Sequence, residues 1–255
     1  MNVKELYKYL SEQIPASLSC SWDNDGLMCA PDSSAPVSRV LITLDITREV
    51  TDVAIREGYD LVISHHPLIF KGVKSLTDDA YVSAKLIELV RAGVSAMSFH
   101  TRLDAVEGGV NDILAKTLGL KDTAPFGIDP TPIGRIGTLE EPMELCDFAA
   151  LVKRTIGAPC VSYADAGKKV KKVAVLGGSG SDDIAAAIFA GADTYVSGEL
   201  GYHHLTDAPD GEINLIEAGH FYTEFPVCGR IAELVHSADA SIKCDIFNSD
   251  RTKVI

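Results

Sequence analysis

Short apolar runs alternate with amphipathic stretches along almost the whole chain. "VLITLD" (40–45), "LVISHH" (61–66) and "VSAMSFH" (94–100) read as strands. Between them, 47–57 and 79–92 carry a helical period, and a further helix starts at Gly109. Beyond residue 134 the alternation resumes with strand "RIGTL", a helix at 144–156, strand "KVAVLGG" and a helix from Ser181. Strands "TYVSGE" (194–199) and "INLIEAGH" (213–220) and a helix through 225–236 follow. The opening "MNVKELYKYLSEQIP" has the pattern of an amphipathic helix, and "IKCDIFN" that of a terminal strand able to join either half. Strand–helix alternation of this kind predicts an α/β fold with mostly parallel sheets. "KDTAPFGIDPTPIG" (121–134) is rich in turn formers and marks the expected boundary between two halves, 1–125 and 126–255.

The halves share a faint repeat. "AIREGYDLVISHH" from Ala54 and "AIFAGADTYVSGE" from Ala187 place Ala, Ile, Gly, Asp and Ser at the same offsets. Further on, each half has a strand ending in histidine with an acid four residues later: His100 with Asp104, and His220 with Glu224.

Composition narrows the function. A chain of 255 residues with 46% apolar and 23% charged side chains has the profile of a soluble protein with a sizeable core. Its net charge of −13 argues against a nucleic-acid surface, which needs clustered Lys and Arg. The densest basic cluster, "KKVKK" (168–172), precedes an apolar strand and is expected in a solvated turn. Neither a secretory signal nor a bilayer-spanning apolar stretch is evident, so the cytoplasm is the expected compartment and no membrane partner is expected. The six cysteines show no Cys-x-x-Cys spacing, so a thiolate zinc cage is not expected, and they are read as small buried hydrophobes.

Against this background the adjacent histidines His65 and His66 stand out, in a chain with only seven. Neighbouring residues on a strand point to opposite faces, but a pair just past a strand's carboxyl end can turn toward one ligand. In open α/β sheets that end is where ligands collect. Three clusters fall at such ends: His65 with His66, His100 with Asp104, and His220 with Glu224. Imidazole and carboxylate together suit Zn, Mn, Fe or Co. Taken singly, each histidine has a structural reading as a half-buried, hydrogen-bonded residue, and each acid as a helix-start carboxylate. The three clusters together point to metal. "VLGGSGSDD" (175–183) lacks the signatures of a nucleotide-phosphate loop and is read as a strand-to-helix turn with Ser181 as N-cap. In "SGELGYHHLTDA" (197–208), Glu199 and His203 either line the same cavity or belong to a hydrogen-bonded loop.

"WDNDGL" (22–27), "SHHPLIF" (64–70), "HTRLDA" (100–105), "GGVND" (108–112) and "AGHFYTE" (218–224) resemble the NGG-interacting-factor-three-like family, also known as dinuclear-metal-centre proteins or GTP cyclohydrolase I type 2 homologues. The resemblance runs from near residue 22 to about residue 236. It implies His65, His66, Asp104, His220 and Glu224 as ligands of two divalent ions lying between two similar α/β halves. His65 and Asp104 would serve one ion, His66 and His220 the other, with Glu224 bridging. It also implies the short form of the family without an extra middle domain, a ring-shaped homohexamer, and a nucleotide substrate. Arg102 stands where the family commonly has Asn, which leaves a substrate contact there in question. His100 and His203 are the candidate proton-transfer groups. The expected activity is metal-dependent hydrolysis of a nucleotide-like substrate; the alternative is a non-catalytic ring for metal storage, delivery or sensing, or an interaction scaffold.

Overall fold

Residues 1–128, 130–253 and 255 are described by a computed structural model. In the first stretch of chain, α1 (Val3–Gln13) opens on a capping box in which Asn2 and Glu5 satisfy each other's amides. It is followed by β1 (Gly26–Cys29), β2 (Arg39–Thr43), α2 (Arg48–Arg56), β3 (Leu61–Ser64), α3 (Tyr81–Ala92) and β4 (Ser95–Ser98). Next come α4 (Thr101–Ala105), α5 (Val110–Thr117), β5 (Lys121–Phe126), β6 (Gly134–Met143), α6 (Leu145–Ile156) and β7 (Ser162–Ala164). The chain continues through β8 (Val170–Ser179), α7 (Ile184–Phe189), β9 (Thr194–Glu199), α8 (Tyr202–Asp207), β10 (Asn214–Glu217) and α9 (His220–Glu224). It closes with α10 (Val227–Ala238) and β11 (Lys243–Phe247).

Two compact units result: Met1–Leu103 with Val227–Arg251, and Asp104–Pro226 with Thr252–Ile255. The first holds a five-stranded sheet in the order β1-β4-β3-β2-β11. Its strands β4, β3, β2 and β11 are parallel, and only the edge strand β1 runs antiparallel. The terminal strand therefore belongs to this sheet, with Cys244 beside Val40 and Ile246 beside Ile42. Every residue of β3 is buried, as an interior strand covered on both faces requires. Leu41, Val50, Ala54, Val62, Leu89 and Ala96 form one core cluster of this unit.

The second unit is built on a six-stranded sheet, β5-β6-β8-β9-β10-β7, with β8, β9 and β10 parallel and the outer pairings antiparallel. Successive residues of β8 feed opposite faces: Val173 and Val175 join a cluster with Phe148 and Val152, whereas Ala174 and Leu176 pack with Ala187 and Tyr195.

The division at 103/104 differs from the boundary expected within 121–134. Strand β5 pairs with β6 and α5 packs on β8, which ties 104–126 to the second sheet. Asp129, inside the expected boundary stretch, lies outside the described residues. Two smaller expectations also change. The basic cluster is not all turn, because β8 already begins at Val170 and the amides of Lys171 and Lys172 donate to Asp193. Ser181 is not an N-cap: 181–183 form a 3-10 turn, α7 starts at Ile184, and the Ser181 hydroxyl accepts the Gly201 amide at 3.1 Å. Cys20, Cys29 and Cys228 are buried as expected, but Cys146 and Cys160 are exposed.

Candidate metal centre

The carboxyl ends of β3 and β4 lie side by side, with Ser64 opposite Ser98, and the residues just beyond them carry imidazoles. The amides of His65 and His66 continue the ladder to the carbonyls of Thr43 and Leu44 at 3.3 and 2.9 Å, but the side chains no longer diverge as on a regular strand. Their ring centroids are 4.9 Å apart, and the His100 ring lies 5.3 Å from His65 and 5.6 Å from His66. One ligand-capable atom from each of the three histidines falls within 4.8 Å of the others.

Each ring is oriented by a partner at Nδ1. His65, fully buried, faces the Phe99 carbonyl at 2.9 Å; His66 faces Asp45 Oδ1 at 2.8 Å; His100 faces Asp23 Oδ1 at 2.8 Å. A carbonyl or ionised carboxylate can only accept, so these partners assign the proton to Nδ1 and the lone pair to Nε2, the form in which imidazole binds metals. Asp23 is well suited to this. Burial pushes its carboxyl up, but hydrogen bonds from His100 and Thr101 outweigh that and hold it well below the usual carboxylate range. The Thr101 amide and hydroxyl donate to Asp23 Oδ2 at 3.0 and 2.6 Å.

Arg102, at which the sequence leaves a substrate contact in question, is fully buried. Its Nε–H donates to Asp25 Oδ2 at 3.0 Å, its Nη1 to the Ile14 carbonyl at 3.2 Å, and its guanidinium lies 4.6 Å from the centre of the Phe99 ring. Asp25 Oδ2 also accepts the His100 amide at 3.0 Å. Arg102 is thus an internal brace of the turn that carries His100, with no surface to offer a substrate.

In the second unit, α9 begins directly after β10 and presents His220 and Glu224 one helical turn apart. His220 Nε2 lies 3.1 Å from Glu224 Oε2, and its Nδ1 lies 3.2 Å from Glu199 Oε1 at the end of β9. Glu224 is almost wholly buried. Its seat is the end of β8. Gly178 has φ +70°, and a Cβ there would lie 2.1 Å from Glu224 Oε1, so both backbone and space demand glycine. The amides of Gly177 and Gly178 donate to Asn111 Oδ1 and Thr223 Oγ1 at 2.7 and 3.1 Å, fixing that strand end against α5 and α9. Asp104, also buried, opens this unit on α4, while Asp112 of α5 is ion-paired with Arg135.

The structure therefore brings His65, His66 and His100 into one group, and His220, Glu224 and Glu199 into another. His203 stands apart, exposed on α8 with its ring against Tyr202, and among the described residues it joins no group able to hold a metal. Sequence reasoning missed Asp23, Asp45 and the Gly177–Gly178 seat. "WDNDGL" and the doubled glycine of "VLGGSG" were the available signals, but the contacts that give them meaning span 77, 21 and 46 residues. Buried acids beside imidazoles form a donor set for a borderline divalent cation such as Zn, Mn, Fe or Co, so these residues fit a metal centre.

A two-unit α/β protein with histidine and carboxylate groups able to hold metal at its strand ends is the class that fold and site define. The chain belongs to the Duf34/NIF3 (NGG1p interacting factor 3) family, whose model matches residues 1–253. It is 32% identical over 241 residues to a GTP cyclohydrolase 1 type 2 homolog of Clostridium perfringens, covering 92% of this chain and 91% of that one. A protein of the same description from Nostoc is 35% identical over 207 residues, 78% of each chain. The crystal structure of Staphylococcus aureus protein SA1388 superposes with a TM-score of 0.88 at 29% identity, covering 100% of this chain and 99% of the other. No helix among the described residues is long and apolar enough to cross a membrane.

Proposed function

We propose that this protein is a dinuclear metal-dependent hydrolase of a nucleotide-like substrate, working as a homohexamer. The observation that carries the reading is the group of three imidazoles at the ends of β3 and β4, with Nδ1 partners that turn Nε2 into a donor. The proposed ligands are His65 and Asp104 for one ion and His66 and His220 for the other, with Glu224 shared. This pairing rests on the family motif and on the chemistry of the side chains. Two divalent ions supply, when bound, a nucleophilic water near neutral pH and polarisation of the bond under attack.

The remaining residues have defined tasks. Asp45 holds the imidazole of His66 in one tautomer, so no reorientation is needed when a cation arrives, and Asp23 fixes that of His100 for proton transfer. His100 is the proton-transfer residue: Asp23 holds Nδ1–H, and Nε2 takes up a proton and returns it to a leaving group. Gly178 leaves room for the Glu224 carboxylate, whose negative charge would offset repulsion between two bound dications. The nucleotide class comes from the relatives' name, GTP cyclohydrolase 1 type 2 homolog. The test is formate release from GTP by metal-loaded protein, alongside other nucleotides and phosphoesters. Turnover that disappears with chelator and with His100→Asn is expected. Full metal occupancy without turnover on any of these compounds would favour metal storage or delivery instead, and turnover surviving complete metal removal would contradict the proposal.

A further inference from the structure

Two large aromatic side chains beside the imidazole group are left open to solvent. Trp22 is 56% exposed and Phe70 47%. Their ring centroids are 6.2 Å apart at 71°, and each is close to His100, at 6.1 Å and 76° for Trp22 and 6.2 Å and 84° for Phe70. None of the three pairs is stacked face to face, so the capacity of Trp22 and Phe70 for parallel stacking is not used within the trio.

The loops bearing these rings are held firmly. The Cys20 amide donates to Thr101 Oγ1 at 2.9 Å and the Asp23 amide to the Cys20 carbonyl at 3.0 Å. The Asp23 side chain is anchored by His100 and Thr101, and Asn24 Nδ2 donates to the Ile69 carbonyl at 2.5 Å, tying the Trp22 loop to the loop that carries Phe70. Exposed aromatics on a mobile loop would collapse onto the surface. Rings fixed in an open position at the rim of a polar cluster are preorganised for a flat ligand, whose binding then requires little ordering.

We propose that Trp22 and Phe70 form an aromatic subsite that stacks the planar heteroaromatic ring of a nucleobase-type ligand, with His100 at the ring's edge. The inference rests on the hydrolase reading for the reaction, but the subsite binds the ring whether or not the ligand turns over.

Trp22 is the only tryptophan in the chain, so its fluorescence reports on this place alone. Titration of the full-length, metal-loaded protein with guanosine and with GTP is expected to quench it saturably, with similar midpoints, whereas ribose 5-phosphate should leave it unchanged. Phe70→Ala, with the fold checked by circular dichroism, should weaken guanosine binding about tenfold, the loss expected on removing one stacking partner. Trp22→Leu, followed by calorimetry, should do the same. No saturable quenching by guanosine, equal quenching by ribose 5-phosphate, or indifference to Phe70→Ala would each overturn the subsite. So would dissociation of the assembly by Phe70→Ala in light scattering, which would make the rim a contact for a second copy of the chain. Formate release from GTP without saturable quenching would sink the subsite alone, and saturable quenching without turnover would sink the hydrolase reading alone.

Discussion

The stretch β2-α2-β3 in the first unit and β8-α7-β9 in the second are two versions of one device. In each, a glycine and an aspartate join helix to strand, and the aspartate reaches back to the amides that start the preceding strand. Asp60 accepts from Ser38 and Arg39 at 2.8 and 2.9 Å; Asp193 accepts from Lys171 and Lys172 at 3.0 and 2.7 Å. The backbone repeats as well, since the Asp60 amide donates to the Arg39 carbonyl and the Asp193 amide to that of Lys172. Where the strands end, the versions part. Ser64 is followed by His65 and His66, and Ser197 by Gly198 and Glu199. A Cβ at Gly198 would lie 2.6 Å from the Gly178 carbonyl and 2.8 Å from the His220 Cα. The second unit therefore supplies its imidazole from α9, after α8 and β10, because α9 fills the space that a side chain at position 198 would need. The scaffold repeats while the donors come from different elements.

The most severe way to break this comparison is Gly198→Ala. Two of the three atoms it would strike are backbone and the third is Thr223 Oγ1, so the strand end has to shift. Overpacking of that kind should cost about 3 kcal/mol in urea unfolding, and a loss under about 1 kcal/mol would mean that α9 does not fill the space.

Asp60→Asn and Asp193→Asn probe what the versions share. Each removes the charge from a pair of amide contacts and should cost about 1–2 kcal/mol at neutral pH. Burial pushes the Asp60 carboxyl up, but the Ser38 and Arg39 amides and the Ser38 hydroxyl outweigh it and lower it. A lowered folded-state value means that the unfolded chain binds the proton more readily. The Asp60 contribution is therefore present above about pH 4, the ordinary carboxylate range, and fades as pH falls through the folded value. Wild type and Asp60→Asn should converge in midpoint as the pH is taken below about 4; a gap that persists there would refute the assignment.

The helix starts give the smallest contrast. Thr47 caps α2 by accepting the Val50 amide at 3.3 Å, so Thr47→Ala should cost about 0.5–1 kcal/mol. Ser181 accepts only the exposed Gly201 amide, and Ser181→Ala should cost about 0.3 kcal/mol. Equal losses in thermal melts would make the two starts equivalent after all.

Much of this was legible from the chain. The interior strand Leu61–Ser64 is largely apolar because both faces are covered, and the Gly-x-Asp of the repeat marks the joints that Asp60 and Asp193 make. Strand β1 went unread because Gly26–Cys29 is a short edge strand among turn formers. Strand β5 was hidden by Pro125 and by a run of exposed residues that reads as linker, which an edge strand tolerates and an interior one does not. The histidines and acids could be picked out by spacing and family motif. Their orientation could not, since Asp23 meets His100, and Gly178 meets Glu224, only within the fold of their own unit. Equal spacing of His100 with Asp104 and of His220 with Glu224 suggested equal roles, yet His220 turns to its own helix partner and His100 to Asp23.

The central claim, two ions sharing Glu224, is tested most directly by metal titration of wild type and Glu224→Gln with elemental analysis at saturation. Wild type should hold about two divalent ions per chain, the number a shared carboxylate requires. Glu224→Gln keeps the side chain's size and removes its charge, so both ions should weaken together by at least about tenfold, whereas Asp104→Asn should empty mainly one site. One ion per saturated wild-type chain, or normal binding of two ions by Glu224→Gln, would contradict the account.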